Sequence, residues 1–167
     1  MNFKIVSNWL SDGLEIKDNE EILYSLVTEP SSLEKSLVFY NLKKNEKIKT
    51  LNYLNIWSSN TGERIIKLNN EIIAIAGGQK VYLINKYSIL NEINSVYINY
   101  SILKLTNNLF LIGDENGIIT QYRIENTNII KESLKKSHEN EIYSLTILND
   151  MIISGSLNSN EIKIWKK

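Results

Sequence analysis

The sequence predicts an all-β protein built from a repeated unit, and three observations carry that expectation. The β-branched and aromatic runs are four to seven residues long and bounded by polar turns, as half-buried strands are. No segment sustains a 3.6-residue apolar period over three turns. Finally, Ile66–Ile84, Ile102–Ile124 and Ile142–Trp165 repeat one pattern. An apolar strand meets a two-residue polar turn (Asn69-Asn70, Asn107-Asn108, Asn149-Asp150), and a second strand then runs into Gly or Ser. From Asn69 to Asn107 is 38 residues and from Asn107 to Asn149 is 42, and such a period signals stacked repeats.

Reading strands a to d in each unit gives four units within a single domain over 1–167, at about 7–51, 52–93, 94–133 and 134–167. The first unit is the least regular. Its predicted strands are 13–17, 22–28, 36–42 and 47–51, with a long connection, Glu29-Pro-Ser-Ser-Leu-Glu-Lys35, holding the only proline. The second follows an irregular link over 52–62, with strands near 64–68, 71–76, 80–85 and 89–93. The third has strands near 102–105, 109–113, 118–124 and 129–133. The fourth has 142–148, 151–154 and 161–165 and then only two lysines, so its outer strand is lacking. Asn2–Val6 is a lone strand-like segment, and one spare strand at the start matches one vacancy at the end. Filling that vacancy would remove an unpaired sheet edge.

The best copy, His138-Glu-Asn-Glu-Ile-Tyr-Ser-Leu through Ile-Ile-Ser-Gly-Ser to Glu-Ile-Lys-Ile-Trp165, resembles a WD repeat. That resemblance implies four-stranded antiparallel blades of a β-propeller, about four of them here, in a partial or minimal ring whose last blade the N-terminal strand completes. It also implies a structural hydrogen-bond network of a histidine, a strand-b serine, a turn aspartate and the tryptophan ending strand c. The matching positions are His138, Ser154 (or Ser156), Asn158 and Trp165; Asn replaces Asp, and the turn reads one residue longer. Tyr122 and Ile84 occupy the position of Trp165 in the preceding units. Four blades tuned to a larger ring would leave two apolar faces in water. At roughly 400 Å² each this forfeits about 10 kcal/mol per face. The arc must therefore close on itself, pair with a second copy into an eight-bladed ring, dock on a partner, or be a truncated product.

A narrower resemblance is to the diphthine methyl ester hydrolases, WD proteins of diphthamide biosynthesis. It rests on Ser11-Asp12-Gly-Leu-Glu15, Leu26-Val-Thr28-Glu29, Leu37-Val-Phe-Tyr40, His138-Glu-Asn-Glu141-Ile-Tyr and Ser154-Gly-Ser156, with Glu29 and Ser156 departing from that family's pattern. It would make Asp12, Glu15, His138 and Glu141 the catalytic candidates, a carboxylate–imidazole pair activating water against a methyl ester on elongation factor 2.

Other chemistry is poorly represented. Forty-three per cent hydrophobic residues and 23 % charge are globular values, and 19 basic residues against 19 acidic ones give no net charge to attract phosphate. Lys135-Lys136 and Lys166-Lys167 are too little for the third reading, a non-catalytic subunit of an RNA-modifying complex. With no cysteine and one histidine there is no expected metal site, and no cofactor is implied. Gly77-Gly78-Gln79-Lys80 lacks the phosphate-loop spacing and reads as a turn. No Gly-x-Ser-x-Gly elbow occurs. Trp9 and Trp57, at the entries to the first and second units, read as packing residues, with contact to a partner as the alternative. No apolar run is long enough to span a membrane, and the first residues lack the apolar core of a signal peptide, which leads to a cytoplasmic or nuclear expectation. The leading expectation is a non-enzymatic scaffold that binds other proteins through its propeller faces.

Overall fold

A computed structural model describes residues 10–16, 22–28, 35–54, 64–85 and 87–166. The expected strand over Asn2–Val6, with the blade completion it would supply, and Trp9 and Trp57 all lie outside these residues.

The fold is all-β, with antiparallel sheets arranged as blade-like units. The first unit is the sheet β1 (Leu10–Ile16), β2 (Ile22–Thr28), β3 (Lys35–Asn41) and β4 (Glu46–Leu54), in chain order. A second sheet has the order β10-β9-β8-β7-β6-β5. Its strands are β5 (Arg64–Lys67), β6 (Ile72–Asn85), β7 (Ser88–Lys104), β8 (Leu109–Asp114), β9 (Ile118–Glu125) and β10 (Asn128–Lys136). The last sheet has three strands, β11 (Ile142–Leu148), β12 (Met151–Ser156) and β13 (Glu161–Lys166).

Two expected boundaries vanish into longer strands. The predicted strands at 71–76 and 80–85 both lie in β6, and those at 89–93 and 102–105 both lie in β7. Side-chain parity shows where β6 turns. Ile73 and Ile75 share one hydrophobic cluster with Tyr82 and Ile84, whereas Ala74 and Ala76 share the other with Val81 and Leu83. A continuous strand keeps odd residues with odd, but facing partners in a two-residue hairpin share a side. The inversion therefore places the reversal at Gly78-Gln79, and Gly78 has φ +51°, in the region glycine adopts without strain. β7 likewise serves two units. Its first half pairs with Lys80–Asn85 and its last residues, from Asn99 on, pair with β8.

Turn chemistry follows the polar pairs. Asn149 and Asp150 have φ of 49° and 60°, the positive values that a type I′ hairpin between β11 and β12 requires. The Asn69 side-chain oxygen accepts the amides of Glu71 and Ile72, a local cap for the turn into β6.

A register slip marks the inner strand of three units, of one residue in the last two and of two residues in the first. The register slips between Ser11 and Glu15 in β1, between Asn99 and Ser101 in β7, and between Ile142 and Ser144 in β11. It supplies a common frame: Ser101 faces Gly113 as Ser144 faces Gly155, and Phe110 faces Tyr122 as Ile152 faces Trp165.

The core lies between units. One cluster joins Ile22, Tyr24, Leu26, Leu37 and Phe39 of the first to Ile73, Ile75, Tyr82 and Ile84 of the second. The other joins Ala74, Ala76, Val81 and Leu83 to Ile102, Phe110, Ile112, Tyr122 and Ile124 of the third. The fourth unit packs through β11 on β7 and β8. Among the described residues no strand ladder joins the last sheet to the first. Nor, among the described residues, is any helix long and apolar enough to cross a membrane.

Candidate functional site: the buried histidine relay

His138 lies in the link between β10 and β11, and the preceding unit holds that link in place. Gly117, at φ +70° in the turn between β8 and β9, offers its carbonyl to the amides of both Ser137 (2.8 Å) and His138 (3.0 Å). A Cβ on Gly117 would lie 2.1 Å from the His138 carbonyl oxygen, so only glycine permits this approach. Lys136 Nζ donates to the Asn116 carbonyl and Lys163 Nζ to that of Ser137, which ties the link on both sides.

So held, the imidazole is 1 % exposed and uses both nitrogens. Nε2 stands 2.7 Å from Ser154 Oγ, and Nδ1 stands 3.2 Å from Glu161 Oε2. Trp165 Nε1 donates to the same Ser154 oxygen at 2.9 Å. Proton positions follow by accounting. A glutamate carboxylate only accepts, so Nδ1 carries the hydrogen; Nε2 is then an acceptor and takes the single hydroxyl hydrogen of Ser154. Each donor in Trp165–Ser154–His138–Glu161 then has an acceptor.

Strand parity explains the set. Glu161, Lys163 and Trp165 alternate along β13 on the side facing His138, and Ser154 lies between Lys163 and the imidazole on β12. The Glu161 carboxyl is held below its ordinary value chiefly by the hydrogen bond from Lys163; desolvation opposes this, and the hydrogen bond to His138 adds a lesser lowering. Lys163 Nζ is 3.1 Å from it.

Of the sequence candidates, His138, Ser154 and Trp165 meet in this relay and Asn158 does not. The Asn158 amide instead donates to Glu141 Oε2 at 2.8 Å, so Glu141 is engaged away from the imidazole. Glu161, which sequence reasoning passed over, is the carboxylate on the histidine; its signal was its even spacing from Trp165 along one strand. Ser156 has no hydrogen-bond partner for its hydroxyl. Asp12 and Glu15 belong to β1, the first within its register slip and the second at its end, and their side chains lie outside the described residues.

Serine, histidine and glutamate in this order form the constellation of a hydrolytic triad. Access decides against that use. Ser154 is 0 % exposed, and its oxygen already accepts the indole N–H, so no carbonyl carbon can approach it. Among the described residues no group of three His, Cys, Asp or Glu side chains could hold a metal ion. A separate cavity of about 420 Å³ opens between the first two units, lined by Ile22, Tyr24, Phe39, Ile73 and Tyr87. Its rings pack on one another, Phe39 against Tyr87 edge-on at 4.8 Å, and leave no aromatic slot between them.

The third unit carries a reduced version of the relay. Ser95 precedes Asn99 by four residues as His138 precedes Ile142, and Tyr122 takes the place of Trp165. Tyr122 stands near Ser95 and Thr120, and burial pushes its phenol up. Ser95 donates to Asn99 Oδ1, whose amide reaches the Lys80 carbonyl of the preceding unit. In the second unit Ile84, fully buried, holds the same place.

No protein-family model matches the chain, and no curated protein matches it. Solved structures do. The chain is similar to one in the "Crystal Structure of Mitotic Checkpoint Complex", with TM-score 0.71 and 10 % identity over 92 % of this chain and 50 % of that one. It is similar to the computationally designed Ika8 protein, with TM-score 0.64 and 12 % identity over 95 % of this chain and 45 % of that one. The computationally designed Ika4 protein gives TM-score 0.64 and 12 % identity over 94 % of this chain and 88 % of that one. The chain thus spans about half the length of the first two. At such identities the likeness is one of fold, all-β and propeller-like.

Proposed function

We propose that this chain is a non-enzymatic WD-type scaffold, binding other proteins through its blade edges and faces within a larger complex. The observation that carries the reading is the exposure of apolar side chains on each outermost strand. Ile48 on β4, Ile89 on β7, and Ile130 and Leu134 on β10 are all exposed, Leu134 by 57 %. β4 and β10 are sheet edges with unpaired backbone groups, which a partner strand can extend. The relay supports the same reading, because the one histidine is spent on holding strands together.

The methyl ester hydrolase alternative asks for Glu141 at the imidazole, and Glu141 pairs with Asn158 instead. The RNA-complex alternative asks for free cations. Lys135 lies over the Trp165 ring at 4.1 Å, and Lys136 donates to the Asn116 and Glu139 carbonyls, so both are committed within the fold. The test is affinity capture of the tagged chain from its own cells beside an I130K/L134K variant. A stoichiometric protein partner recovered by the first and lost by the second is expected. Methanol release from methylated diphthine on elongation factor 2 above the no-protein control would overturn the non-enzymatic reading.

A further inference from the structure

We draw no further inference here: the strongest candidate, the exposed apolar face of the fourth unit around Ile162 and Ile164, carries nothing because nothing in the structure shows what covers it.

Discussion

Replacing Ser154 with alanine isolates the relay from everything around it. The change removes one oxygen and no carbon skeleton, so packing is nearly conserved while two hydrogen bonds disappear. His138 Nε2 loses its only donor at a site with no water access, and a buried polar group left so costs ~1–3 kcal/mol. Trp165 Nε1 loses its acceptor but is only part-buried, so water recovers some of that loss and ~1 kcal/mol remains. The expected total is about 3 kcal/mol, a large share of the 5–15 kcal/mol typical of a domain. At ~2–4 °C per kcal/mol for a chain of this size, the melting midpoint should fall by about 6–12 °C. Urea unfolding followed by tryptophan fluorescence checks the same quantity, with an unchanged denaturant slope as the sign that only stability moved. Adding Trp165→Phe completes a cycle in which the two losses should couple by about 1 kcal/mol, since they share one oxygen. A Ser154→Ala chain within ~0.5 kcal/mol of wild type would refute the reasoning and reopen a catalytic use of that serine.

Three further outcomes follow from the same geometry. Gly117→Ala should lower stability by ~2–4 kcal/mol by calorimetry, because the new methyl drives into the His138 and Asn140 carbonyls at a backbone φ of +70°. Asp114 caps the β8–β9 turn through the amides of Asn116 and Ile118, while burial pushes its carboxyl above the ordinary range. At neutral pH, Asp114→Asn should therefore be neutral or stabilising, whereas Asp114→Ala should cost ~1–3 kcal/mol in urea unfolding by stranding both amides. Glu161 has a lowered folded pKa, so its stabilising effect is whole above the unfolded value near 4.5 and is lost as pH falls through the lower folded value. Melting curves from pH 6 downward should accordingly be flatter for Glu161→Gln than for wild type below pH 4.5, with Asp114 acting in the opposite sense as it takes up its proton.

The sequence made the relay's frame readable and hid its acid. His138, Ser154 and Trp165 were legible because they sit at fixed places on strands whose pairing is local: Ile152 faces Trp165, and Ser154 lies two residues on. Asn158 was expected because a turn residue is counted from the end of strand b. The turn here is longer, so that residue swings to Glu141 and a strand-c residue supplies the carboxylate. Glu161 could have been found by asking which acid shares the parity of Trp165. The turn read at Gly77-Gly78 corresponds to the reversal within β6, but the boundary expected between 89–93 and 102–105 is absent. There β7 stays extended while its partner changes, and partner identity is a long-range property that no local window contains.

The three networks along the chain track how much apolar contact each unit can make. The second unit has clusters on both faces, and Ile75 and Ile84 fill the places that Ser154 and Trp165 hold in the fourth. The third has a full cluster on one side and, toward the fourth, a junction made through Gly113, Ser101 and Ile142. On its clustered side Tyr122 stands near Ser95, with Ile112 still apolar beside them. The fourth contributes to neither cluster, and Ile142 is its single buried hydrophobic side chain among the described residues. A three-stranded sheet with one covered face gains little from burial, so its strands need directional ties to keep their register. Those ties are what the relay supplies, joining the β10–β11 link, β12 and β13 through one buried imidazole. The most polar interior in the chain thus stands beside its most exposed apolar face. Both follow from one circumstance, a unit that among the described residues has a neighbour on only one side.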